Sequence, residues 1–188
     1  MDSLKIRIHN RDYSSYEIVN ASTLETTEET VNAVKNKLFN HDVFKINEEG
    51  IVQVYHSTVR SMPNIPGVLL LDTKRTYGKV KNKFLYKLIP DDRRLPEFLV
   101  AYKKKIGFNK KCVNKYVVFK FKHWDNKHPV AQLDQVIGDV NILDNFYEYQ
   151  LYCKSLYASI QDFTKATLRK IKKQSEDEFI DDIMKKYH

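Results

Sequence analysis

Between Gly67 and Trp124 the chain switches repeatedly from short apolar stretches to polar turns, a rhythm that fits only a small, strongly curved β architecture. Gly67 to Leu71 is a continuous apolar run suited to a buried strand, and Thr76-Tyr77-Gly78 turns the chain. Lys79 to Leu88 reads as one long alternating strand, with Lys79, Lys81, Lys83 and Lys87 on one face and Val80, Phe84, Tyr86 and Leu88 on the other. Leu95 to Ala101 continues as strand after the PDDRRLP turn, and KKKIGFNKK at 103–111 forms a basic loop. Val117, Phe119 and Phe121 then alternate with Lys120 and Lys122 up to Trp124. Five or so strands in roughly 75 residues predict a closed or nearly closed barrel.

MPNIPG at 62–67, two prolines and a glycine, marks a boundary before this segment. Upstream, Leu4, Ile6 and Ile8 alternate with Lys5, Arg7 and His9, and Tyr16 to Val19 gives a second strand. Ser22 with Glu25 has the spacing of a capping box and predicts a short helix within 22–38. HDVFKI and GIVQVYHS alternate again, with Val43, Ile46, Ile51 or Val52, and Val54 as inward candidates. Downstream, Leu143, Phe146, Gln150, Cys153, Tyr157 and Ile160 step by three and four and predict a helix of about five turns. Ser175 with Glu178 forms a second capping box, followed by the apolar Phe179, Ile180, Ile183, Met184 and Tyr187. The expected organisation is mainly β: a shortened unit at 1–61, a basic barrel at 62–141 and a helical segment at 142–188.

The net charge of +8 is concentrated in the middle of the chain. Residues 60–125 hold 17 Lys and Arg against 5 Asp and Glu, a net +12, whereas 1–59 carry −3 and 126–188 carry −1. Charge confined to one folded segment suggests an electrostatic footprint for phosphates or for an anionic surface. Single nucleic-acid strands are held by cations that follow the phosphates and by rings on which bases stack. The candidates are Lys74, Arg75, Tyr77, Lys79, Lys81 and Lys83, with Lys120, Lys122, His123 and Trp124 as a second strand of the same kind. The same residues also fit a solvated barrel exterior with Tyr77 and Trp124 in the core.

Other chemistry finds little support. Asp91-Asp92-Arg93-Arg94 between Pro90 and Pro96 suits an ion-paired corner better than a catalytic carboxylate pair. The six histidines are scattered, Cys112 and Cys153 lack metal-type spacing, and there is no phosphate loop or nucleophile elbow, so neither a catalytic site nor a metal site is expected. No apolar run nears the roughly 20 residues that span a bilayer, which predicts an intracellular, cytoplasmic protein without membrane contact. A protein-interaction module would instead use Tyr147, Tyr149 and Tyr152 as its contact face.

VLLLDTKRTYGKVKNKFLYKLIPDDRRLPEFLV resembles the second cold-shock-type domain of the RNase II/RNase R (RNB) exoribonucleases, where a strand pair precedes a phrase close to P-x-D-R-R-x-P. NKLFNHDVFKI is similar to the end of that family's first cold-shock domain, with Asn40-His41-Asp42 in place of the usual His-Gly-Asp. Trp124, His128-Pro129 and the IGDV of 137–140 resemble its closing pattern, and FYEYQLYCKSL resembles the divergent RNB proteins of large DNA viruses. The resemblance implies two OB folds feeding single-stranded RNA into a magnesium-dependent 3′→5′ exonuclease domain, a hydrolase of RNA degradation. The family's catalytic aspartate cluster has no counterpart here. The expectation is therefore an RNA-binding region that uses no cofactor of its own, whose catalytic RNB domain, with its magnesium, lies in cis or in a separate chain.

Overall fold

The structure is a computed structural model that describes residues 3–73, 75–104, 112–156, 160–173 and 176–187. The alternation of Leu4, Ile6 and Ile8 becomes β1 (Leu4–Ile8), which pairs antiparallel with β2 (Tyr16–Asn20) and with β3 (Val43–Ile46). β4 (Val52–His56) adds to β3, giving the order β2-β1-β3-β4. A bulge between Val43 and Phe44 shifts the side-chain parity, so Phe44 is the fully buried residue of β3 and Val43 is not. Ile46, Val52 and Val54 pack against the core as expected, while Ile51 is exposed. Among the described residues β2 and β4 do not pair with each other; the sheet is open where a first barrel was expected.

No helix forms across 22–38. The Asn20 side-chain oxygen accepts the Ser22 and Thr23 amides at 2.8 and 3.1 Å, Leu24 takes φ 64°, and Thr26 returns to bridge Val19. Such an Asn-centred turn offers the backbone amides a partner that the helix would have to replace, and the Ser22–Glu25 spacing becomes part of a reversal. The segment that follows buries Val31, Ala33, Leu38 and Phe39 without regular structure.

After the one-turn α1 (Thr58–Ser61), β5 (Ile65–Leu69) begins inside the PNIPG phrase. β6 (Lys79–Val80), β7 (Lys83–Pro90), β8 (Phe98–Tyr102), β9 (Lys115–His123) and β10 (Val130–Asp139) follow. β5 pairs with both β7 and β9, β7 with β8, β8 with β10 in parallel, and β10 with β9. That circuit closes a five-stranded barrel with the OB arrangement. Closure crowds β5: a Cβ on Gly67 would stand 2.8 Å from the Ile89 carbonyl oxygen and 3.1 Å from the Phe119 ring. β10 escapes sequence reading because register shifts at Leu133/Gln135 and Val136/Gly138 interrupt its alternation.

The expected long strand from Lys79 is two strands. Lys81 (φ 53°) turns the chain, so that Lys79 faces Phe84 and Val80 faces Lys83. Lys79 and Phe84 therefore share a face, contrary to simple alternation through the turn.

The open sheet and the barrel share one hydrophobic core. Phe39 stacks on Phe98 with centroids 5.9 Å apart and meets Trp124 at 4.9 Å, and Tyr13 meets Trp124 edge-on at 6.3 Å. The Arg11 guanidinium crosses the seam and donates to the carbonyls of Pro90 (2.6 Å), Leu95 (3.1 Å) and Asp92 (3.3 Å). Those acceptors belong to the PDDRRLP corner, where Arg94 grips Asp92 with two bonds of 2.9 and 3.0 Å. Burial pushes the Asp92 carboxyl up, but Arg94 and Arg11 outweigh it and hold the group below its ordinary range. The corner is ion-paired and structural.

α2 (Leu143–Cys153) lays Tyr149 and Tyr152 on Val118 and Ile137, and Tyr149 donates to Asp91 at 3.1 Å. It is three turns long, not five. Ser155 takes φ 57° and the amides of Ser155 and Leu156 return to the carbonyls of Tyr152 and Leu151, a Schellman-type stop made without glycine. α3 (Ile160–Lys173) and α4 (Glu176–Tyr187) follow. Cys112 and Cys153 are free and half-buried; burial pushes the Cys153 thiol up to about 12. Among the described residues no helix is long and apolar enough to cross a membrane.

Candidate nucleic-acid interface

In a closed barrel every second residue of each strand faces outward. On β7 these are Lys83, Leu85 and Lys87, and on β8 Leu99 and Ala101 oppose Lys87 and Leu85. β10 lies beside β8, and β9 beside β10 adds Lys120 and Lys122. Across this face runs a cleft of ≈ 930 Å³, whose lining includes Leu85, Ala101 and Val130 with Lys83, Lys103 and Lys122. Cations around an apolar strip match a strand whose phosphates are charged and whose bases are flat and apolar.

The sequence candidates divide into three groups. Lys83, Lys122 and His123 line the cleft together, although they lie about 40 positions apart in the chain. His123 Nδ1 is 2.8 Å from the Asp125 carboxylate, close enough for an ion pair when the imidazole is protonated. Arg75, Tyr77, Lys79 and Lys81 lie on the exposed connection between β5 and β7, which borders the nucleotide-facing side in OB barrels. The Lys79 ammonium sits 5.8 Å from the Phe84 ring centroid. Lys120 lies on the same outer face but 3.7 Å from Asp134, which neutralises it in part.

Two candidates stand apart from the cleft. Lys74 lies outside the described residues. Trp124 is not on the cleft: its indole is buried at the seam among Phe39 and Tyr13, with the Lys37 ammonium 5.6 Å from its centroid, which leaves little ring face to a base.

The structure supplies groups that sequence reading missed. Phe84, expected to point inward, is 47% exposed because β7 runs past the end of the barrel, and Tyr102 pairs with it across β8. Lys103 joins the cleft from the end of β8; its place in the basic KKK run was the available signal. Lys115 is held by Asp139. Lys87 is held by Glu97, a bond that raises its pKa, and reaches to 5.4 Å from the Tyr77 centroid. His128 meets that ring at 6.4 Å; burial and the nearby Lys87 lower its pKa, so it adds no charge at neutral pH. Of the tyrosines proposed as a protein-contact face, Tyr149 and Tyr152 are buried and only Tyr147 is exposed.

Residues 85–147 match the family described as Dis3-like cold-shock domain 2. The matched segment runs from β7 through the whole of β8, β9 and β10 into α2, so it contains most of the barrel and most of the cleft wall. The open sheet, β5, β6 and the last two helices fall outside it. No curated protein matches the chain.

Proposed function

We propose that the chain is a single-stranded RNA-binding module of an RNB-type 3′→5′ exoribonuclease, guiding RNA toward a catalytic domain in cis or in a separate chain. The observation that carries this reading is the convergence of Lys83, Lys103 and Lys122 on an apolar cleft of a barrel that matches a Dis3-like cold-shock domain. The open sheet is then a shortened first cold-shock unit, and the exposed Tyr77 and Phe84 are rings on which bases stack.

Such a surface recognises phosphate and base planes without reading sequence. Binding of an unstructured RNA, followed by fluorescence anisotropy, is expected to weaken with salt by about 0.7 in log K per log unit of salt for each phosphate neutralised. Lys83→Glu with Lys122→Glu should reduce both affinity and salt slope. An affinity that is flat across salt, or a double variant that binds like the wild type, removes the cleft from the RNA path.

A further inference from the structure

The two last helices carry apolar stripes that nothing described in the molecule covers. On α3 Phe163 is 73% exposed and Leu168 is open beside it; on α4 Ile180 is 50% and Met184 52% exposed, with Ile183 between them. Among the described residues none of α3 or α4 enters either hydrophobic cluster, whereas α2 buries two tyrosines on the barrel. Helices of 14 and 12 residues are marginal in water unless an amphipathic face is packed.

The helices are opposite in charge. α3 has Lys165, Arg169, Lys170, Lys172 and Lys173 against Asp162, and α4 opens with Glu176, Asp177, Glu178, Asp181 and Asp182 before Lys185 and Lys186. An antiparallel pairing sets the basic second half of α3 beside the acidic first half of α4 and Leu168 opposite Ile180. It also brings Phe163 to Met184. Charge and apolar order agree in that one direction. Phe163 and Leu168 stay exposed with the chain's own α4 in place, and the same complementary surface is available on another molecule.

We propose that α3 of one copy packs antiparallel on α4 of a second copy, and reciprocally, so that the two chains exchange helices in a twofold dimer. This goes beyond RNA binding and does not depend on it. Light scattering on the full chain, coupled to size exclusion, is expected to give twice the monomer mass. Lys170→Glu with Lys172→Glu, and separately Asp177→Lys with Asp181→Lys, should each yield monomers, with dissociation constants raised at least tenfold. Mixed one to one, these two variants should form a heterodimer, because each wild-type helix then meets a wild-type partner and each reversed helix a reversed one. Circular dichroism and the barrel's unfolding midpoint check that each variant is folded. A monomeric wild type overturns the proposal, as do variants that stay dimeric or a mixture that stays monomeric while all are folded. A wild type that dimerises only with another protein present also overturns it.

Discussion

The barrel and the open sheet are built from strands of similar length, and they differ in what happens at their edges. In the barrel β5 bonds to β7 on one side and β9 on the other, so no strand is left unpaired and the outer face is fixed. In the sheet β2 and β4 remain edges, and one face is spent against the end of the barrel through Phe39, Tyr13 and Arg11. Charge follows the same division, +12 over residues 60–125 and −3 over 1–59. The closed unit can hold cations at fixed separations along a cleft. The open one is anionic overall and packs against the end of the barrel.

The largest effect should come from the seam that joins them. Phe39 is fully buried against Phe98, Phe121 and Trp124. Phe39→Ala is expected to cost about 3–5 kcal/mol, by lost transfer free energy and an uncollapsed cavity. Urea unfolding followed by Trp124 fluorescence and by circular dichroism should shift as one transition. Two separated transitions would show that the shared core does not couple the units.

Gly67→Ala tests the closed unit alone. The added Cβ meets a backbone carbonyl at 2.8 Å, which cannot move without parting β5 from β7. Overpacking of this kind costs roughly 1–3 kcal/mol. RNA affinity should fall with it, since the cleft depends on closure; a variant of unchanged stability and affinity would mean that the barrel tolerates opening.

These two sites also show how much the sequence disclosed. Alternation located β1, β2, β3, β4, β7 and β9, because an amphipathic strand writes its burial into every second residue. β10 stayed hidden because two bulges break the parity, and the Lys79 hairpin because a lysine holds the left-handed position usually given to glycine or asparagine. The end of α2 was missed for the same reason, with Ser155 in that conformation. The helix expected at 22–38 failed to a local competitor, the Asn20 side chain, whose hydrogen bonds no periodicity reveals. At the cleft, Lys83 and Lys122 were legible as cations on strands. That Lys103 joins them and Trp124 does not is a consequence of closure and of the seam, both of which are long-range.

Asp42 provides a pH test on the sheet side. Burial pushes its carboxyl above the ordinary 3.8, with Ser57, the Phe39 amide, Arg60 and His56 opposing only in part. The folded sheet therefore keeps this proton to higher pH than the unfolded chain does. Its contribution to stability is full below the ordinary value and declines as pH rises through the window up to the folded pKa. Asp42→Asn keeps an acceptor for the Phe39 amide, which now bonds Oδ2 at 2.9 Å, and carries no charge. Thermal midpoints between pH 4 and 7 should fall more with rising pH in the wild type than in the variant. Parallel curves would mean that the carboxyl ionises in the sheet without penalty.

The smallest effect separates two lysines of one strand. Lys120 and Lys122 both face outward on β9, and sequence alone gives no reason to rank them. Lys120 already lies near Asp134, 3.7 Å away, so a phosphate would have to compete for it, and such an exposed pair contributes only about 0–1 kcal/mol to folding. Lys122 lines the cleft with Lys83 and Lys103. Lys122→Ala should lower the RNA salt slope by about 0.7, the value of one phosphate contact, and Lys120→Ala by clearly less. Neither should move the unfolding midpoint appreciably. Equal loss from both would place the strand across the whole outer face of β9 and β10, and a greater loss from Lys120 would shift the path off the cleft toward β10.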